Sequence, residues 1–122
     1  MDELELAWQT YDFHTSMIHD LEEGHKHLVA RFEKFIANNL NPSELRKKRV
    51  KNGMNKSFNE LLLMYNKQLK AIDDLIDLYK SDIDIPAERE VNLQLFFDLK
   101  NVTSTLVEEL KAHRREINEV LR

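Results

Sequence analysis

Histidine is the residue type whose spacing in this sequence suggests metal chemistry. Glu22 precedes His25 and Glu109 precedes His113 by about one helical turn. Di-iron sites in helical bundles use Glu-x-x-His pairs together with two further carboxylates. The helix expected between these pairs offers a methionine and a phenylalanine at that height, which are not ligands for a hard metal. We therefore predict no metal and no cofactor, and interpret the two histidines as partly buried and hydrogen-bonded.

Nucleophiles are scarce as well. The sequence contains no cysteine and only two glycines, so neither a thiolate nucleophile nor a glycine-rich phosphate loop can be built. It also lacks a Gly-x-Ser-x-Gly turn and a His-Glu-x-x-His zinc motif. We predict a protein that is not an enzyme.

The sharpest charge feature is a short basic cluster, which consists of Arg46, Lys47, Lys48, Arg49 and Lys51. Such a cluster can neutralise phosphates and thereby bind nucleic acid, and in a eukaryotic protein it would favour a nuclear location. No aromatic residue lies beside it to stack on bases. Nucleic-acid binding through this cluster is therefore the alternative function, behind protein interaction.

Length and composition favour one domain of long elements over residues 1–122. The chain has 18 basic and 22 acidic residues, a mildly acidic balance that is not typical of a general nucleic-acid binder. Only two glycines and two prolines are available for turns, so few turns are expected. The acidic start does not resemble a signal peptide, and no apolar run approaches the ~20 residues of a membrane span. We expect a cytoplasmic protein without a membrane span.

Apolar residues recur at three- and four-residue steps from Leu4 to Ile36, which predicts a first amphipathic helix. Its stripe is Leu4, Trp8, Tyr11, Ile18, Leu21, His25, Leu28, Phe32, Phe35 and Ile36. Asparagines at 38, 39 and 41 end this run. The segment that follows predicts a new helix start, with Asn41 as N-cap and Pro42 in the first turn.

A second apolar run extends from Val50 to Tyr79. Its stripe is Val50, Met54, Phe58, Leu61, Leu62, Tyr65, Leu69, Ile72, Ile76 and Tyr79. Asn52-Gly53 could end a short helix, with Ser57 capping the next one. Because the apolar phase continues across Gly53, one continuous helix is favoured, and a fourth, short helix is the alternative.

The last helix follows a break at Ser81–Pro86, where proline disfavours helical geometry in the residue before it. Its predicted stripe is Val91, Leu95, Leu99, Val102, Leu106, Leu110, His113, Ile117, Val120 and Leu121. Short connections make neighbouring helices antiparallel. The expected fold is an all-α, antiparallel up-down-up bundle of three long helices, or of four if the second helix breaks at Gly53.

Several large apolar residues lie off these stripes, namely Leu6, Phe13 and Met17 on the first helix and Leu93 and Phe97 on the third. A three-helix bundle needs one stripe per helix, so we expect these five residues to form an exposed patch near one end. The sequence thus predicts a non-catalytic interaction module, a small adaptor, chaperone or regulator. Its partner would be a helix of another protein or a second copy in a homo-oligomer. The less specific interpretation is that wide stripes simply fill the core.

Overall fold

The computed structural model describes residues 2–39, 41–81 and 89–122, which form three α-helices. They are α1 (Glu3–Asn38), α2 (Glu44–Ser81) and α3 (Arg89–Val120). At about 1.5 Å per residue, α1 and α2 are each about 55 Å long. The three packed helices confirm the predicted all-α, up-down-up bundle.

Side chains cap the starts of α1 and α2. The Asp2 carboxylate accepts a hydrogen bond from the Glu5 backbone N–H at 2.8 Å and lies at the positive end of the helix dipole. On α2 the cap is Ser43, whose hydroxyl accepts from the Arg46 backbone N–H at 3.2 Å. The prediction of Asn41 as this cap was therefore wrong by two residues. Serine and asparagine are equally good helix caps, and in the structure the cap is Ser43, which follows Pro42.

α2 is one continuous helix through Gly53, as the unbroken apolar phase predicted. Gly53 has helical geometry, and a Cβ added there would meet nothing within 4 Å. The helix ends at Ser81, where the sequence predicted the second break. The rest of that prediction, including Pro86, lies outside the described residues.

Contacts between helices show the direction of each one. Along α1, Trp8 donates to the Tyr79 hydroxyl at 3.1 Å, and His25 lies 2.7 Å from the Ser57 hydroxyl. Higher numbers on α1 thus meet lower numbers on α2, and the two helices are antiparallel. On α3, Asn92 donates to the Tyr79 hydroxyl at 3.4 Å and Asn118 to Asn55 at 3.3 Å, so α3 is antiparallel to α2 as well.

α2 is the central helix. Most of the buried side chains belong to it, whereas α1 buries fully only Ile18 and His25. Both α1 and α3 pack along α2, but within the described residues no Cα of α1 comes within 8 Å of a Cα of α3. These outer helices meet through large side chains, such as the rings of Trp8 and Phe96, whose centroids are 5.1 Å apart.

The orientation of α3 about its axis differs from the predicted one. The buried stripe contains Leu93, Phe96, Thr103, Val107 and Ile117. Half of the predicted core stripe is exposed instead, namely Val91, Leu95, Val102, Leu106 and Val120, whereas Leu99, Leu110, Ile117 and Leu121 pack in the core as predicted. α3 carries two apolar stripes, and the structure turns the one that contains the large Phe96 ring toward α2. The three-four spacing fits both stripes, which is why the sequence assigned the exposed residues Val91, Leu95 and Val102 to the core.

The helices contain no stretch that is both long and apolar enough to cross a membrane, as far as residues 2–39, 41–81 and 89–122 are concerned.

Candidate interaction surfaces

The two histidines of the predicted pair lie on either side of one phenylalanine. The His25 ring is 4.5 Å and the His113 ring 5.6 Å from the Phe58 ring, measured between centroids, and both contacts are edge-on. His25 Nδ1 lies 2.7 Å from the Ser57 hydroxyl. Burial, with a smaller effect from His113, lowers the pKa of His25 from its usual value. This arrangement stabilises a neutral imidazole within the core.

Metal binding has no geometric support in the part of the chain that the structure describes. No group of three or more histidine, aspartate or glutamate side chains lies close enough together there to hold an ion. Glu22 instead accepts a hydrogen bond from the Tyr65 hydroxyl. Burial, followed by this hydrogen bond, raises the pKa of Tyr65 far above its usual value. The phenol therefore stays protonated and acts as a structural donor.

Four of the five predicted partner-binding residues are exposed. They are Leu6, Phe13, Met17 and Phe97, with 62% of the Phe13 side chain accessible. Leu93 differs from the prediction because it is only 8% exposed and packs with Ile72 and Leu75 of α2. It belongs to the buried stripe of α3, so it is not available to a partner.

The four exposed residues do not form one patch. Leu6 precedes Trp8 by two residues, about 200° around the helix, and Trp8 faces α3. Leu6 therefore lies on the side of α1 turned away from α3, and Phe13, one heptad later, lies beside it. Phe97 lies across the bundle, where Lys80 of α2 sits 5.3 Å from its ring centroid. The prediction that Phe13 and Phe97 share one patch was wrong, because α2 lies between the two surfaces.

A larger apolar surface consists of residues that were predicted to lie in the core. We call it the exposed α3 stripe, and it consists of Val91, Leu95, Val102 and Leu106. Its members follow one another at steps of four or seven residues, so they lie along one side of the helix. Val102 is 57% exposed, although it continues the apolar periodicity. The presence of two interleaved apolar stripes on α3 was the sequence feature that could have revealed it.

The exposed α3 stripe borders a groove between α1 and α3. This groove has a volume of about 250 Å³. Its walls are Glu22, His25 and Lys26 of α1 and Leu106, Glu109, Leu110 and His113 of α3, and its floor is Leu61 and Tyr65 of α2. Leu106 belongs both to the stripe and to the groove. The α1/α3 side of the bundle is therefore partly open.

On the opposite side, two cavities that are open to solvent lie between α1 and α2. The first, about 390 Å³, has an apolar interior and three carboxylates; it is lined by Glu3, Leu6, Ala7, Thr10, Ala71, Asp74, Asp77 and Leu78. The second, about 340 Å³, is apolar with two arginines; it is lined by Leu28, Arg31, Phe32, Phe35, Arg49, Val50, Gly53 and Met54. We call them the acidic cavity and the basic cavity.

The basic cluster does not form a flat basic surface. Successive helical residues are about 100° apart, so Arg46 to Arg49 point in four directions around α2. Lys47 pairs with Glu44 at 3.4 Å, while Arg49 lines the basic cavity. The basic residues on which the alternative function of nucleic-acid binding depends therefore point to different sides of α2.

Comparisons with protein-family models, with curated proteins and with solved structures find no significant match for this chain. What the structure defines is the class of fold, an antiparallel all-α bundle of three long helices whose central helix is α2.

Proposed function

We propose that this protein is a non-catalytic interaction module, an adaptor, chaperone or regulator that binds a helix of another protein. The observation that carries the proposal is the exposed α3 stripe, a row of large apolar side chains left uncovered beside the α1/α3 groove. Apolar surfaces of this kind are uncommon on proteins that act alone. We further propose the cytoplasm as its location, as the sequence analysis expected.

The partner would complete a four-helix bundle. Beyond the contact between Trp8 and Phe96, the backbones of α1 and α3 stay more than 8 Å apart in the described helices, which leaves room for a helix that contacts both. Residues at steps of four and seven suit a helix partner, whose own apolar side chains recur at the same steps. The mixed charges of Glu22, Lys26 and Glu109 along the groove would fix its register.

A photo-reactive residue at position 102 tests this proposal. Crosslinking in cells identifies the protein that contacts the stripe, and its purified binding segment is then titrated against three forms of this chain. These are the wild type, the double variant Leu95→Lys/Val102→Lys, and Leu45→Lys, which places the same charge on exposed Leu45 of α2. Loss of two central apolar anchors should cost roughly 2 kcal/mol or more in total, so the double variant should bind at least about 30-fold more weakly.

Leu45→Lys should bind as the wild type does, because Leu45 lies at the start of α2, outside the groove. The bound segment should be helical by circular dichroism. Equal affinity of the double variant, or a segment that stays extended in the complex, would rule the proposal out.

A further inference from the structure

The acidic and basic cavities occupy equivalent helix positions at opposite ends of the bundle. On α1, Ala7 and Leu28 are three heptads apart. On α2, Arg49 and Asp77 are four heptads apart, which is about 42 Å at 1.5 Å per residue. In packed helices, positions that differ by whole heptads keep the same facing. Both cavities therefore open on one surface, which we call the α1/α2 flank.

We infer that this protein forms a homodimer in which two α1/α2 flanks pack face to face, with the two bundles antiparallel. A two-fold axis across the helices places the acidic cavity of one copy over the basic cavity of the other, and does so twice. This contact is separate from the exposed α3 stripe, so it does not depend on the function proposed above. Two-fold symmetric pairing is also the commonest way in which identical chains associate.

The midpoint between the cavities sets the register. On α2 it falls at Leu63, a large apolar side chain that is 55% exposed and that meets its own copy at the axis. On α1 it falls near residue 19, so Leu6 of one copy lies opposite Phe32 in the basic cavity of the other. An exposed leucine thereby fills an apolar cavity at each end of the contact.

The same register explains the most exposed aromatic residue of α1. Phe13 lies within one residue of the position opposite Gly24 of the second copy, and a Cβ added at Gly24 would meet nothing within 4 Å of its own chain. Gly24 is one heptad from Met17 and two from Thr10, so it faces the flank. A bulky side chain on one copy thus meets a position without a side chain on the other.

Charges at the two ends match across the axis. Asp77 lies opposite Arg49, and Glu60 lies near Lys67. Neither Asp77 nor Arg49 has an ion-pair partner within the described residues of its own chain. About 42 Å of helix separates the two within one chain, whereas dissolved salt screens electrostatic attraction beyond about 10 Å. Only a second chain can bring them together. Lys56 falls opposite Lys70, an unfavourable pair whose long side chains can turn outward.

The area of the flank suits a stable dimer. Two adjacent helices span about 20 Å, and the distance between the cavities is about 35 Å, so each copy would bury roughly 700 Å². The total of roughly 1,400 Å² lies within the range of specific interfaces, about 1,200–2,000 Å². A basic helix from another protein would match only the acidic cavity, whereas a second copy matches both cavities at once.

Paired charge reversals test the inference on the full chain. Asp77→Arg alone should set two arginines against each other across the axis, and Arg49→Asp alone should set two aspartates together. Each should weaken the dimer at least tenfold in sedimentation equilibrium. Mixing the two single variants should restore the dimer, because one chain then carries arginine at both positions and the other carries aspartate at both. The controls Asp12→Arg and Arg115→Asp make the same charge changes on exposed residues outside the flank and should leave the dimer intact.

The steric part of the contact is tested by Gly24→Leu, which has open space in the single chain and should also weaken the dimer at least tenfold. A wild type that stays at 14.5 kDa at all micromolar concentrations overturns the inference. A dimer indifferent to both reversals, a mixture that fails to reassociate, or species that grow beyond two copies overturns it as well. The Leu95→Lys/Val102→Lys variant should still dimerise, so failure here and failure of helix binding are distinguishable.

Discussion

α2 and α3 are both long amphipathic helices, yet their surroundings differ. α2 packs against a helix on each side, so apolar residues over much of its circumference are buried, among them Phe58 and Leu75. α3 packs closely only against α2, so one of its two apolar stripes is buried and the other remains exposed. The periodicity of a helix indicates how many apolar sides it has, whereas the number of helices packed against it decides how many of those sides are buried.

The strongest test of this contrast is Phe58→Ala on α2. Phe58 is 0% exposed and contacts the rings of His25 on α1 and His113 on α3, so its removal leaves a cavity between all three helices. We expect the free energy of unfolding to fall by about 3–5 kcal/mol in urea denaturation. A loss below about 1 kcal/mol would contradict the central position of α2.

Acid should weaken the same region. The pKa of buried His25 is lowered from 6.5, so below that pH the unfolded chain binds a proton that the folded chain resists. The contribution of His25 to stability is therefore fully present above about pH 6.5 and decreases as the pH falls below it. Urea denaturation at pH 8 and pH 5.5 measures the difference, which we expect to be smaller than the effect of Phe58→Ala.

His25→Gln should reduce this pH dependence, whereas His19→Gln, at an exposed position of α1, should leave it unchanged. Part of the dependence should remain, because burial and nearby Lys67 also lower the pKa of His14. An unchanged slope in His25→Gln would show that the proton binds elsewhere.

Gly53→Ala tests the continuity of α2. A glycine inside a helix costs up to about 1 kcal/mol relative to alanine, and the added methyl group would meet nothing. We expect a gain of about 0.5–1 kcal/mol in the free energy of unfolding. A loss would mean that Gly53 adopts non-helical geometry in solution.

The smallest effect is expected on the exposed α3 stripe. Val102→Lys exchanges an exposed apolar side chain for a charged one, and the free energy of unfolding should change by no more than about 0.5 kcal/mol. Val107→Lys is the matched substitution on the buried stripe and should be strongly destabilising. Similar losses in both variants would mean that the two stripes of α3 are equally buried.

Much of the fold could be predicted because it depends on local periodicity. Eight of the thirteen buried residues of α2 belong to the predicted stripe, from Met54 to Tyr79. The others, among them Met64 and Leu75, were not predicted, because α2 is buried over a wider part of its circumference than one stripe covers. The interaction surface was less predictable. Phe13 and Phe97 lie at similar heights, but their separation by α2 depends on how each helix is turned, which the sequence pattern does not specify.

By itself, the sequence determined the number, approximate bounds and antiparallel order of the helices, because three- and four-residue spacing and turn residues act within one helix or loop. Only the tertiary structure decided that α2 lies between the others, that Phe96 rather than Val102 faces the core, and that two cavities of opposite charge share one flank. These features depend on which side chains from different helices fill the same space, and such packing is a property of the assembled bundle.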